Sequence, residues 1–443
     1  MLVSFTIDNW MSFRDPVTLS LVAGDETQHR NHIPEIRDFE TAVVPVCALL
    51  GANGSGKTNF FKALNFVKTM VVEGTAQHEG VDVCPFLLDN GSAEEESTFH
   101  IALLIDQSFY EYSFSASCEA GIIEEKLVLE NATGLHTLFV RRGNQIKLDS
   151  ALQGSDDLMT VFRNTRSNQL YLNALRETDF ELFKPVYSWF DSRLVMLRPD
   201  SRFDPFIAFN CEGQHLLSRM SQLLSMLDTG ITSLGGKPVP LEQVDFTDCL
   251  KGRLYKAVHE NWSAIVDTGT NGQIYFVYNY GGSLFAIRLE STHKKPDGTE
   301  VVFNLNQESG GVQRLINLLP AFIELMDADC NKVYVIDRFF DSMHTLLKRR
   351  LINLFFFNCG PDSRRQLLFT THDVELLDKE LFRTDEIWLA ERDEEGASHL
   401  DTVFEYRGKK IDKDLRTSYL QGKMGAVPDL PGKGVICKAL KED

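Results

Sequence analysis

The chain has 443 residues, which allows about three domains at ~150 residues each, or one large elaborated domain. Hydrophobic residues are 43% and charged residues 24%, a composition that excludes a mainly disordered, collagen-like or coiled-coil chain. The net charge of −18 argues against a surface that binds nucleic acid all over, while leaving room for a local basic groove. No run approaches ~18 apolar residues, so no membrane-spanning helix is expected. The first 13 residues are strand-like and carry Asp8 instead of a basic stretch before an apolar core, so no signal peptide is expected.

Cys47, Cys84, Cys118, Cys211, Cys249, Cys330, Cys359 and Cys437 are scattered, with no CxxC, and the histidines form no HExxH. That usage predicts free thiols in a reducing cytoplasm and no zinc site.

In chain order, residues 2–7 alternate apolar and polar, a strand pattern, and a second strand is expected at 17–22. A polar, histidine-bearing loop spans 28–40. Residues 43–50 are almost wholly apolar, which suits a strand buried on both faces, with Pro45 near its start. A helix is expected over 59–72, with Phe60, Ala63, Leu64, Val67 and Met70 at helical spacing. Antiparallel strands dominate 98–147. Residues 156–227 read as mostly helical, with a break near Arg198-Pro199-Asp200. Residues 230–240 read as a glycine- and proline-bearing connection. Strands follow at 273–280, 284–290 and 301–305, then a strong helix over 312–326. From there strand and helix alternate: 332–336, 345–356, 366–370, 374–381 and 386–390.

Four pieces carry chemistry. Gly51-Ala52-Asn53-Gly54-Ser55-Gly56-Lys57-Thr58 is a full GxxxxGK[ST] between a buried strand and an amphipathic helix. Glycines let backbone N–H groups converge on phosphate oxygens, and the helix N-terminus adds partial positive charge. Lys57 would bring a point charge to the phosphates, and Thr58 a hydroxyl to Mg²⁺. The second piece is the apolar strand 333–336 ending in Asp337, which suits the Mg²⁺ water shell beside Thr58. The third, Ser309-Gly310-Gly311 before a helix, is either an anion site or an ordinary helix start. The fourth is the strand 367–370 leading to Thr371-His372-Asp373. A histidine at the carboxyl end of a parallel strand points to the ligand crevice, and His372 either reads a γ-phosphate or merely opens the next helix.

In this order the four pieces resemble an ABC-type ATPase head of the SMC and RecF kind. Residues 51–58 match its Walker A motif, Ser309-Gly310-Gly311 its signature, Asp337 its Walker B acid and His372 its switch histidine. Residues 7–14 resemble that group's first strand and turn. A closer resemblance is to the RloA/AbiL-type ATPases (AAA-type ATP-binding proteins) of bacterial phage-defence and abortive-infection loci. It is carried by Pro85-Phe86-Leu87-Leu88-Asp89, Gly310-Gly311-Val312-Gln313-Arg314-Leu315, Ser342-Met343-His344, Asp385-Glu386-Ile387-Trp388 and Tyr419-Leu420-Gln421-Gly422-Lys423, and spans residues 1–428.

The resemblance implies an α/β fold: an ABC-type P-loop ATPase head with an antiparallel β lobe and a helical insertion. The expected parts are lobe I at 1–150, the insertion at 151–240, lobe II at 241–424 and a tail at 425–443. It implies ATP and Mg²⁺ as cofactors. Gly51, Asn53, Gly54, Ser55, Gly56, Lys57 and Thr58 would hold nucleotide, completed by Ser309, Gly310 and Gly311 of a second copy in an ATP-sandwiched homodimer or larger symmetric assembly. Thr58 and Asp337 would hold the metal. It also implies a cytoplasmic, membrane-free protein acting with a separately encoded effector, such as a Toprim-like nuclease.

Two departures stand out. The group places a water-orienting glutamate after the Walker B acid, and here that position is Arg338, which stays protonated and cannot act as a base. Slow or absent hydrolysis, with Asp341 or Glu308 as poor substitutes, is one expectation. The other is that a neighbouring acid, Asp341 or Glu308, serves beside the catalytic candidate His372, while Arg338 only packs or pairs. The second departure is from overcoming-lysogenization-defect nucleases, which carry a Toprim domain after the head: only about 70 residues follow His372, so any nuclease is expected to be a separate chain. Three readings therefore stand: an ATP-gated switch subunit in phage defence, a RecF-like repair ATPase that binds DNA, and an ATP-binding scaffold with weak hydrolysis.

Overall fold

The computed structural model describes residues 1–36, 39, 41–76, 80–178, 180–201, 214–239, 241, 244, 263–267, 274–280, 283–339, 342–406, 414–428 and 430. Asp341 and most of the expected tail lie outside the described residues. Two compact units divide the chain. The first holds Met1–Pro199, Ala328–Phe339 and Phe356–Asp443, and the second Asp200–Asp327 and Phe340–Phe355.

The first unit carries two large sheets. One is antiparallel, in the order Gln145–Leu148, Gly134–Arg142, Gly121–Asn131, Ser108–Ser117, Ser97–Ile105, Leu2–Asp8, Val17–Ser20. The other has the order Leu194–Leu197, Val333–Ile336, Gln366–Thr370, Val46–Gly51, Ile387–Arg392, Ser398–Thr402. Its first five strands run parallel and only the last is antiparallel. Val46–Gly51 is buried throughout, as its unbroken apolar run demands of a strand covered on both faces. The helix Lys57–Val72 buries Phe60, Phe61, Ala63, Leu64, Val67, Met70 and Val71 in a core shared with both sheets. Phe60 meets Phe5 edge-on, with ring centroids 5.5 Å apart. Gln366 stitches the sheets together. Its amide donates to the Leu2 carbonyl at 2.9 Å and accepts the Leu2 N–H at 2.6 Å.

The short helices Asp156–Asn164 and Tyr171–Ala174 belong to this same unit. A buried carboxylate holds the second of them to the antiparallel sheet. Glu125 accepts the N–H groups of Tyr171 (2.6 Å) and Leu172 (2.9 Å) and the Tyr112 hydroxyl (3.0 Å). Arg141 lies 3.6 Å away. The stretch expected as one helical insertion over 151–240 is therefore split. Residues up to Pro199 pack with the ATPase sheets, and those from Asp200 belong to the second unit. Within the expected helical run, Leu194–Leu197 is a strand at the edge of the parallel sheet, because four consecutive apolar residues pair with Val333–Ile336.

The second unit has a five-stranded antiparallel sheet. Ser283–Lys294 pairs with Ile231–Val239, Ile274–Tyr280 and Glu300–Asn304, and Ser263–Asp267 pairs with Ile274–Tyr280. Residues 230–240, expected as a connection, form the strand Ile231–Val239. It sits at the sheet edge, where Pro238 costs no ladder bond to an outer neighbour. The helices Gln214–Met226 and Gly310–Leu325 and most of Thr345–Phe357 also belong to this unit, and the Ser221 hydroxyl accepts the Leu234 N–H at 2.9 Å. Expected boundaries from 241 to 424 shift accordingly. Residues 241–327 and most of the Thr345–Phe357 helix go with this unit, while the strands from 333 onward return to the P-loop sheet.

The helix expected over 374–381 is only the 3-10 turn Val374–Leu376. Asp373 and Asp378 accept the N–H groups of Glu375 and Glu380, and these local bonds compete with helical ones.

Candidate functional site

In a parallel α/β sheet, ligand chemistry gathers beyond the carboxyl ends of the strands. Three adjacent strands of the first unit end there with the residues singled out above. Val46–Gly51 leads into the P-loop, Val333–Ile336 into Asp337, and Gln366–Thr370 into Thr371-His372.

The loop's conformation needs its glycines. Gly51 has φ 155°, and a Cβ there would lie 2.2 Å from the Ala390 carbonyl of the neighbouring strand. Gly56, at φ 102°, begins the helix in left-handed space and leaves no room beside Ser398. Asn53 and Gly54 form the exposed tip, and Ser55 is buried beneath it. Lys57, 6% exposed, donates to the carbonyls of Gly51 (2.9 Å) and Ala52 (2.8 Å) and to the Ser55 hydroxyl (3.3 Å). Its ammonium thus lies folded against its own loop, satisfied by acceptors that phosphate oxygens could replace.

Asp337 is buried, 3% exposed. Its carboxylate accepts the Thr370 hydroxyl at 2.6 Å and the Thr58 hydroxyl at 3.2–3.3 Å. The sequence pointed to Asp337 and Thr58 but passed over Thr370. The legible signal was a hydroxyl residue ending a buried strand next to the acidic one. Thr370 also accepts the Arg338 N–H at 2.7 Å, so one side chain fixes both the acid and the residue after it. Arg338 is exposed and holds a left-handed φ of 52°. His372, also exposed, places Nδ1 3.1 Å from the Gly51 carbonyl. A carbonyl can only accept, so Nδ1 carries the proton in this arrangement.

The second unit holds the other candidates. Ser309 is the N-cap of Gly310–Leu325, its hydroxyl accepting the Val312 N–H at 3.3 Å. A Cβ on Gly310 would meet open space, whereas one on Gly311 would lie 2.7 Å from the Ser342 carbonyl. Glu308 is engaged inside its own unit. It accepts the Ser291 hydroxyl at 2.5 Å and pairs with His293 Nε2 at 2.7 Å.

For a divalent cation, the Thr58 hydroxyl and the Asp337 carboxylate offer two hard oxygens side by side. Among the described residues no group of three or more His, Cys, Asp or Glu could hold a metal. The donor set therefore fits Mg²⁺ of the kind completed by phosphate oxygens and water. No helix among the described residues is long and apolar enough to cross a membrane.

A complete P-loop leaving a buried parallel strand, beside a strand that ends in Asp337, gives the α/β fold of a P-loop ATPase-type protein. Residues 46–378 match the family described as "AAA domain, putative AbiEii toxin, Type IV TA system", and the chain belongs to that family. A search of curated proteins found no match. Among solved structures, the chain is similar to one described as the SMC head bound to the C-terminal winged-helix domain of ScpA. That similarity has a TM-score of 0.39 and 12% identity, and covers 90% of this chain and 97% of the other.

Proposed function

We propose that the chain is an ATP-binding, ATP-hydrolysing switch subunit of a bacterial abortive-infection system, working in the cytoplasm with a separately encoded effector. The observation that carries the ATP reading is the Thr58–Asp337–Thr370 hydroxyl–carboxylate cluster directly beside a complete P-loop. Support for the defence role comes from the family description, which names an abortive-infection toxin and a toxin–antitoxin system. An effector of nuclease type, such as a Toprim-like enzyme, remains the partner the sequence resemblance suggests.

In this reading, the loop amides and the N-terminus of Lys57–Val72 hold the phosphates, and Lys57 exchanges its loop carbonyls for phosphate oxygens. Thr58 and Asp337 would hold Mg²⁺, which when bound offsets phosphate charge. Asp337 stays oriented by Thr370. His372, now on the Gly51 carbonyl, would contact the terminal phosphate. Ser309, Gly310 and Gly311 serve the site of a second copy, so that ATP closes a head-to-tail homodimer.

Arg338 supports a second reading, in which closure is efficient and hydrolysis weak. An exposed cation follows the Asp337 acid at the position where a water-orienting carboxylate would be needed. A RecF-like DNA-binding role gains nothing from the net charge of −18, and salt-dependent duplex affinity would be required to revive it.

The test is nucleotide-induced stabilisation. A ligand present at 100 times its Kd stabilises a fold by about 2.7 kcal/mol, so Mg-ATP should raise the melting temperature of the wild-type protein. Lys57→Ala should abolish that rise. A Lys57→Ala protein that still shifts with Mg-ATP would refute the P-loop reading.

A further inference from the structure

The segment near the C-terminus that resembled the phage-defence ATPases, Tyr419-Leu420-Gln421-Gly422-Lys423, has no part in the site as described so far. The structure gives it one. The helix Leu415–Leu420 starts at Asp414, whose carboxylate accepts the Arg416 N–H at 3.1 Å and the Thr417 hydroxyl at 2.6 Å. It stops at Gly422, which has φ 70°. The Lys423 N–H reaches back to the Ser418 carbonyl and the Gly422 N–H to the Tyr419 carbonyl, the paired bonds that turn a chain sharply off a helix end. That turn carries Met424 and Ala426 into the interior, each 1% exposed.

The Ala426 carbonyl then accepts two hydrogen bonds. One comes from the buried Tyr419 hydroxyl at 2.8 Å, and the other from the Ala52 N–H, inside the P-loop, at 3.1 Å. The Ala52 carbonyl in turn accepts the Lys57 ammonium at 2.8 Å. A continuous chain of contacts therefore runs from Tyr419 through Ala426 and Ala52 to Lys57. The same strap has a second tether. Arg416 pairs with Glu375 at 2.5 Å, on the turn that follows His372. That pair is exposed and contributes little, so the buried Tyr419 link is the one that holds. Burial also keeps the Tyr419 phenol above its usual range, so it stays a donor.

We propose that Tyr419 is a positioning residue for the nucleotide site: through the Ala426 carbonyl it fixes the Ala52 peptide, and through that peptide the resting place of the Lys57 ammonium. Nucleotide affinity is thereby set in part from the C-terminal strap. This rests on the P-loop reading above.

The experiment compares full-length wild type with Tyr419→Phe, which keeps the ring and loses only the hydroxyl. Two measurements are made. Hydrogen exchange of the peptide covering Ala52 is followed without nucleotide, and the Kd for a fluorescent ATP analogue is measured with Mg²⁺. The expected result is faster Ala52 exchange and a Kd raised about 3- to 10-fold, the worth of one buried hydrogen bond, alongside a small fall in the nucleotide-free melting temperature. A merely structural tyrosine would lower the melting temperature but leave the exchange and the Kd unchanged, and that result overturns the proposal. If wild type binds no nucleotide, the P-loop reading fails, while Ala52 exchange still tests the link from Tyr419. Should Tyr419→Phe fail to fold, Gly422→Ala strains the φ 70° turn that delivers the Ala426 carbonyl to the loop. Unchanged Ala52 exchange and unchanged Kd in that variant would count against the proposal.

Discussion

Lys57 and His372 share one acceptor. The Gly51 carbonyl takes the lysine ammonium at 2.9 Å and the His372 ring Nδ1 at 3.1 Å. Residues 315 positions apart are joined through the last carbonyl of the P-loop strand, so movement of either toward a phosphate leaves that carbonyl to the other.

That arrangement predicts a separation of binding from chemistry. His372→Ala leaves Lys57 with its acceptors in the loop and removes an exposed ring, so folding stability should change by less than about 0.5 kcal/mol. ATP affinity should stay within about threefold. Phosphate release should fall by about 10²-fold, the usual loss when one donor to a developing charge is removed. Steady-state phosphate release and equilibrium nucleotide binding measure the two halves. Equal losses in both would mean that His372 serves ground-state binding.

Thr370 is the second case. Thr370→Val keeps the shape of a buried side chain but removes the hydroxyl that donates to Asp337 and accepts the Arg338 N–H. Those bonds have no substitute in valine, and the expected cost is about 1–3 kcal/mol of folding stability. Because Asp337 loses an orienting donor, the Mg²⁺ concentration needed for half-maximal ATP-induced stabilisation should rise. Thermal unfolding across a Mg²⁺ series reads both effects.

The site was legible because its fixed residues lie at the ends of apolar runs. Val46–Gly51, Val333–Ile336 and Gln366–Thr370 each read as a buried strand, and each ends at a candidate residue. Thr370 was harder to find because its role appears only once two strands are paired in register. Leu194–Leu197 was lost among helices, since a four-residue apolar run has no period of its own and gains its identity from Val333–Ile336. Ile231–Val239 was masked by Gly235, Gly236 and Pro238, which read as breakers until an edge position makes them tolerable. The division into units was not legible, because the chain enters the second unit twice.

Glu125 links pH to stability. Burial raises its carboxyl above the ordinary range, against the opposing pull of Arg141 and the Leu172 and Tyr171 N–H groups. A carboxyl with a raised folded pKa binds its proton more tightly folded than unfolded. Its contribution is complete below the unfolded pKa and is lost as pH rises through the folded one. Stability should therefore fall with rising pH across that window. Glu125→Gln, with no proton to lose, should make the fall shallower. It should not abolish it, since burial raises Glu386 as well. At every pH the variant should be less stable by about 1–3 kcal/mol, because a glutamine NH₂ cannot accept the Tyr171 N–H. Melting temperatures over a pH series decide. An unchanged slope would show that Glu125 does not titrate there.

The paired glycines at 310 and 311 separate a structural role from an intermolecular one. Gly311→Ala would push a Cβ to 2.7 Å from the Ser342 carbonyl, so it should destabilise the chain by itself. Gly310→Ala meets open space at the start of a helix, so it should stabilise the isolated chain by about 0.4–1 kcal/mol. If Ser309-Gly310-Gly311 covers the phosphates of a second copy, Gly310→Ala should nonetheless weaken ATP-driven dimerisation, and Ser309→Arg should abolish it with ATP binding intact. Light scattering with and without ATP distinguishes these outcomes. Dimerisation unchanged in both variants would remove the case for a shared site.

Arg338 holds the position on which the proposed ATP chemistry turns. Its backbone sits at φ 52°, where an L-residue other than glycine is held at a cost of about 1–2 kcal/mol, and its amide is pinned by Thr370. The position therefore fixes where the side chain leaves the chain, whatever that side chain is. Arg338→Glu should pay the same backbone cost and present a carboxylate from the same point. General-base and positioning help is worth about 10²–10⁴-fold, so hydrolysis should rise steeply while ATP affinity changes little. Arg338→Gly relieves the strain and offers no base, so it should raise the melting temperature and leave hydrolysis slow. The competing account assigns the work to Glu308 or Asp341. Glu308 already holds Ser291 and His293, so Glu308→Ala should cost stability in the second unit first. Phosphate release from wild type, Arg338→Glu, Arg338→Gly, Glu308→Ala and Asp341→Ala ranks the alternatives. Brisk wild-type turnover with no gain in Arg338→Glu, lost in Asp341→Ala, would transfer the water-orienting role to Asp341 and leave Arg338 a surface cation on a strained turn.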